Sequence, residues 1–123
     1  MRLGNTFSSA NFQCGASAAD AAEFACADFD VLALDIENTG SGALTGFALQ
    51  ARISRNAPFR DVTPTSFVTQ SYRVLEPAAV SPAVLGAGQF SQFSFNVGTF
   101  ERLKIRASGA TATLKINAAG YSD

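Results

Sequence analysis

The chain predicts an all-β protein, an antiparallel two-sheet β-sandwich of about seven strands preceded by an N-terminal arm. Three observations carry that expectation: period-two alternation of apolar residues across positions 31–53, a second alternating pair across 102–118, and turn-forming residues between the runs with no convincing helix in the body. A small barrel is the alternative that the same pattern allows. At 123 residues the chain makes one domain, large enough to bury roughly two-thirds of the surface it exposes when unfolded.

Residues 1–27 differ from all that follows. They are rich in Ala, Ser, Asn and Gly, with Phe7, Phe12 and Phe24 as isolated apolar anchors. Positions 16–27 have helix propensity but lack a wide apolar stripe, so a short helix and an extended lead-in both remain open. Extended, the first twenty residues would reach roughly 60 Å, enough to cross onto a neighbouring subunit. The segment is therefore assigned as an arm that either folds back on its own domain or docks elsewhere, with the sandwich domain spanning 28–123.

From Val31 the period is two: Leu32, Leu34 and Ile36 share one face, and Ala33, Asp35 and Glu37 the other. Asn38-Thr-Gly-Ser-Gly42 then breaks the strand with residues that tolerate positive φ. Phe47, Leu49, Ala51 and Ile53 resume the alternation, and the two runs read as a hairpin with one face in the core and one in water. All four prolines (Pro58, Pro64, Pro77, Pro82) fall between positions 55 and 88. That section holds one good strand, 66–74, among loops and edge segments, because proline cannot donate to a central ladder. Gly86-Ala-Gly88 turns the chain into Phe93, Phe95 and Val97. A second hairpin closes the sequence: Leu103, Ile105 and Ala107, a turn at Ser108-Gly109, then Ala112, Leu114, Ile116 and Ala118.

Charge and composition restrict function more than they define it. The net charge of −1 hides an asymmetry: residues 1–37 carry six acids against Arg2, and residues 38–123 carry eight cations against four acids. Halves of opposite sign meet either within the domain or between neighbouring copies. The basic half is too weak for a nucleic-acid partner. Only 15% of residues are charged, which leaves a neutral surface that either lies open or is covered by a partner. Cys14 and Cys26 lack Cys-x-x-Cys spacing and are expected as free thiols packed like small apolar residues. No basic segment followed by an unbroken apolar run opens the chain, so no signal peptide is expected, and no apolar stretch is long enough to span a bilayer.

Histidine is absent, which removes the side chain that titrates near neutrality and the commonest metal ligand. Ser–His–Asp and Cys–His arrangements are impossible within one chain, and a Ser–Lys pair would need Lys104 or Lys115, both on outward strand positions. The acidic cluster Asp28, Asp30, Asp35 and Glu37 splits into two pairs on opposite faces of a continuous strand. Gly40-Ser-Gly42 and Gly86-Ala-Gly88 neither open a helix nor precede Lys-Ser/Thr, so no phosphate site is expected. No enzyme activity, cofactor or metal is expected from these residues. Arg102, Lys104 and Arg106 place three cations on one strand face, a candidate contact for an acidic partner or a charged face that discourages edge pairing.

The run Val31-Leu-Ala-Leu-Asp-Ile-Glu-Asn-Thr-Gly-Ser-Gly-Ala-Leu-Thr-Gly-Phe47, with Leu85-Gly-Ala-Gly-Gln89 later, resembles the Asn-Thr-Gly strand-turn of small Ig-like modules, in which a Gly-Gln turn precedes the next core strand. The whole chain, short, His-free, rich in Ala, Ser and Gly and led by an arm, resembles small virion proteins of tailed bacteriophages, particularly head decoration (cement) proteins. The resemblance implies a non-enzymatic virion protein that stabilises a capsid at subunit junctions. Its partner would be the major capsid protein or another virion protein, and it would self-associate, as a trimer by preference, without nucleic acid or membrane. Other virion positions (neck, tail or baseplate) and a surface Ig-like adhesion module are the competing implications. On this basis Phe7, Phe12 and Phe24 of the arm, with Arg102, Lys104 and Arg106, are the candidate partner-binding residues.

Overall fold

The computed structural model describes residues 2–8, 11–26, 29–62, 73–74, 85–98 and 100–122. Ten strands are present among them: β1 (Arg2–Ser8), β2 (Phe12–Gln13), β3 (Ala19–Ala25), β4 (Val31–Asn38), β5 (Gly46–Arg52), β6 (Arg60–Val62), β7 (Arg73–Val74), β8 (Phe90–Asn96), β9 (Arg102–Ser108) and β10 (Thr113–Ser122). They form a six-stranded sheet in the order β1-β10-β4-β8-β7, with β2 also on β10, and a four-stranded sheet in the order β3-β9-β5-β6. Every described pairing is antiparallel. The expected two-sheet sandwich is the observed fold.

Alternation places the core as the sequence requires. Leu32, Leu34 and Ile36 of β4, Leu114, Ile116 and Ala118 of β10 and Phe93 of β8 face inward from the larger sheet. Leu103, Ile105 and Ala107 of β9, with Leu49 and Ala51 of β5 and Phe24 of β3, meet them from the smaller one. Ile53 departs from the expected stripe: β5 ends at Arg52, the chain bends, and the Ile53 side chain is 70% exposed. The strand expected over 66–74 falls largely outside the described residues, where only Arg73–Val74 is placed, paired with β8.

Both expected hairpins are corrected. β4 lies in the larger sheet and β5 in the smaller, and β9 and β10 are divided in the same way. Residues 39–45 and 109–112 are therefore arches that cross between the sheets. Sheets pack about 10 Å apart, and even a four-residue link reaches that far at about 3.3 Å per residue. A tight two-residue hairpin would want Asn and Gly adjacent, whereas Thr39 separates Asn38 from Gly40.

The described residues before 28 are extended and not helical. β1 and β2 line up along one edge of β10, then the chain crosses to the other sheet, where β3 pairs with β9. A third crossing thus runs beside the Gly109 turn, held by Cys14 N–H to the Ala112 carbonyl (3.0 Å) and Gly109 N–H to the Gly15 carbonyl (2.8 Å). The segment is extended because its apolar anchors, Phe7, Phe12 and Phe24, each find a place on the sandwich core.

Asn38 sits at the centre of these crossings with no exposed surface. Its Nδ2 donates to the carbonyls of Gly42 (2.9 Å) and Leu85 (3.4 Å), and its Oδ1 accepts from the N–H groups of Gly40 (3.0 Å) and Thr113 (3.3 Å). Its own backbone bonds Gln89 and Gly88 at the entry to β8. The two arches touch directly, since Ser41 and Gly42 N–H donate to the Thr111 carbonyl and Thr45 N–H to Ser108. Gly40 is glycine because a Cβ there would collide with the Thr111 carbonyl oxygen, not because of its φ; the described positive-φ glycines are Gly88 and Gly109. At the opposite end Phe29 closes the sandwich, its ring lying over Gly120, where a Cβ would take the ring's place.

Two fully buried polar side chains predict opposite outcomes. Asn38→Ala strands the donors and acceptors of both arches and lowers the unfolding free energy by about 3 kcal/mol in denaturant titration. Ser91, inward on β8, has no partner for its hydroxyl among the described residues, and Ser91→Ala raises the unfolding free energy by about 1 kcal/mol in the same titration.

Candidate functional site

The three nominated cations and the acids they meet lie on the outer face of the smaller sheet. On β9 the side chains of Arg102, Lys104 and Arg106 alternate with the buried Leu103, Ile105 and Ala107 and point away from the core. β3 lies alongside in a register that sets Asp20 opposite Arg106, Glu23 opposite Lys104 and Ala25 opposite Arg102. The acids reach diagonally as well as across: Glu23 holds Arg102 at 3.1 Å, while Asp20 lies 3.6 Å from Lys104 and 3.4 Å from Arg106. Glu101 completes the row, 2.7 Å from Arg52 and 3.5 Å from Arg102. Arg106 Nη2 donates to the Ala18 carbonyl at 3.0 Å; its Nε faces Asp20 without the alignment of a hydrogen bond.

The acidic and basic halves of the sequence therefore meet within the domain, at β3 and β9. Between them, Phe59 from the β5–β6 connection lies under Lys104 (4.3 Å to the ring centroid) and Arg52 (4.8 Å). Each exposed pair contributes less than about 1 kcal/mol, so the row acts more on register and solubility than on stability. Phe59 is a residue the sequence reading missed. It follows Pro58 in a loop, outside any alternating run, and only the fold brings it under two cations.

The nominated phenylalanines turn inward. Phe24 is buried, and Phe7 and Phe12 are half-buried against the same core. The Phe7 ring meets Phe24 edge-on at 5.2 Å and Phe29 at 6.1 Å. The structure does not bring these three together with Arg102, Lys104 and Arg106 as one surface: the rings face the core and the cations face solvent.

Other candidates are dispersed. Asp35 accepts from Gln92 Nε2 at 2.7 Å on the outer face of the larger sheet, Glu37 is exposed two residues on, and Asp28 lies outside the described residues. Among the described residues no group of three or more His, Cys, Asp or Glu is placed to hold a metal ion. No described helix is long and apolar enough to cross a membrane. Cys14 and Cys26 are unpaired and buried. Burial pushes both thiols up, Cys26 to about 11, which leaves them protonated and poor nucleophiles at neutral pH.

Among solved structures, the fold is similar to that of the SPBc2 prophage-derived protein YomS, with a TM-score of 0.61 over 94% of this chain and 90% of that one, at 11% sequence identity. No protein-family model matches the chain, and no curated protein sequence matches it. The likeness establishes a shared sandwich fold across nearly the whole of both chains.

The inward placement of the aromatic anchors has a direct consequence. Phe24→Ala lowers the unfolding free energy by about 3–4 kcal/mol, read as a drop in the thermal midpoint of the isolated protein. An unchanged midpoint would mean that Phe24 serves a partner and not the core.

Proposed function

We propose that this chain is a non-enzymatic structural protein of a bacteriophage particle, one that decorates the capsid and stabilises it by binding at junctions between capsid subunits. The observation that supports the reading is the fold shared along nearly full length with a prophage-derived protein. The chemistry of the chain agrees with it. Its charged row is spent on internal ion pairs, its thiols are buried, and its polar core residue holds arches together. A protein of this kind acts by mass action: binding the assembled shell and not its free subunits stabilises the shell by the free energy of that binding. Its partner is the major capsid protein, and its location is the virion.

The contact surface in this reading is the outside of the sandwich. Arg2–Ser8 and Ala19–Ala25 supply edge strands to the two sheets, so these strands contribute as part of the folded body and not as a detachable arm. Removing them would strip Phe7 and Phe24 from the core, and such a truncation tests folding and not docking.

The test is quantitative mass spectrometry on purified particles of the phage whose genome encodes the chain. A copy number in the hundreds is the expected result, with saturable binding of the full-length recombinant protein to emptied shells. A ring-sized number of about six to twelve copies would move the chain to the neck, tail or baseplate. Absence from purified particles would overturn the virion reading and favour a surface adhesion module.

A further inference from the structure

Ile53 is an apolar residue out of place. Its spacing from Leu49 and Ala51 would bury it, yet its side chain is 70% exposed where β5 has ended and the chain turns toward β6. Two arginines stand beside it. Arg60 opens β6 and pairs with Ala51, two residues before Ile53, and Arg55 follows two residues after; both are exposed. Residues 53–60 contain no acid, and neither arginine has an ion-pair partner among the described residues. Asp61, the next acid along the chain, accepts from Gln50 Nε2 at 2.9 Å. Elsewhere on the smaller sheet the cations are matched: Arg52, Arg102, Lys104 and Arg106 each face an acid.

The tip formed by these residues is held in shape. Ala57 N–H donates to the Ser54 carbonyl at 3.1 Å, which closes a turn, and Pro58 restricts the backbone just after it. Phe59 packs under Lys104 and Arg52, and Arg52 is fastened to Glu101 through its side chain at 2.7 Å and its carbonyl at 2.9 Å. A contact element already fixed in its bound shape loses little conformational entropy on binding.

We propose that residues 53–60 are the docking tip of this protein and seat on an apolar pocket rimmed by carboxylates on the capsid protein, an inference that rests on the capsid-decoration reading above. Ile53 fills the pocket while Arg55 and Arg60 meet its rim; an aliphatic anchor in a pocket beside arginines is a recurring form of binding hot spot. Uncompensated cations fit an acidic rim, and guanidinium groups pair with carboxylates through two hydrogen bonds. Other occupants match less well. Two cations are too few for a nucleic acid, and one aliphatic side chain gives only a marginal hold on a bilayer. A second copy is a poor receiver, since its exposed Leu3 lies next to Arg2, which offsets Asp30 beside Tyr121 and leaves no acidic rim.

Co-sedimentation of the full-length protein with emptied shells, across a concentration series, is the test. Ile53→Ser and Arg55→Glu are each expected to weaken binding by about tenfold or more. Their melting temperatures are expected to stay near that of wild type, because both side chains are exposed and outside the strands. Lys115→Glu makes the same charge change on the outer face of the larger sheet and is expected to leave binding unchanged, which separates a local contact from general attraction. Rising salt is expected to weaken wild type more than Arg55→Glu. Tip variants that bind shells as wild type does overturn the docking tip and leave the capsid reading standing. A wild type that binds no shell overturns the capsid reading, and the pocket with it. Binding of wild type to vesicles of phosphatidylcholine and phosphatidylserine, lost in Ile53→Ser, assigns the tip to a bilayer and overturns the protein partner. Self-association in light scattering, lost in the same variant, overturns it in favour of a second copy.

Discussion

A single buried carboxamide holds this sandwich in its topology. Asn38 ends the central strand β4 with its side chain pointing inward, where a hydrophobic residue would continue the pattern of Leu32, Leu34 and Ile36. Instead its four side-chain hydrogen bonds reach the first arch, the segment at Leu85 and the start of β10. An arch that crosses between sheets leaves backbone groups with no ladder to join, and a buried polar group without a partner is costly. Asn supplies two donors and an acceptor with two lone pairs in one side chain, which suits a site where donors and acceptors converge. The Gly40 approach to Thr111 and the contacts of Ser41 and Gly42 follow once that clamp is set.

The edges of the sheets show a second constraint. A long flat edge strand invites pairing with another chain. Here β1 and β3 each carry a break in register, between Leu3 and Thr6 and between Asp20 and Ala22. The acidic β3 also lays Asp20 and Glu23 against the cations of β9, which combines edge protection with local neutrality.

Legibility varied by residue. The buried faces of β4, β9 and β10 were readable because a period of two is a local property of the backbone, and the absence of His was readable by inspection. Phe24 and Phe7 were visible as anchors but not as core residues, since an isolated Phe among Ala and Ser carries no periodicity to say which way it faces. The row Arg102, Lys104 and Arg106 was visible as an outward face, while its partners Asp20 and Glu23 lie about eighty positions away and were assignable only through strand register. Phe59 had no local signal at all.

By itself, then, the sequence determined which residues β4, β9 and β10 would bury and where the chain would turn after β4 and β9. Tertiary structure alone decided which sheet each strand entered. Alternation is identical whether consecutive strands pair side by side or face each other across the core, because either arrangement buries one face of each. The choice between hairpin and arch is made by long-range hydrogen bonds, those of Asn38 above all, and by the space for Phe7, Phe24 and Phe29 at the flank. That same closure made Arg2–Ser8 and Ala19–Ala25, read from the sequence as part of an arm, edge strands of the two sheets.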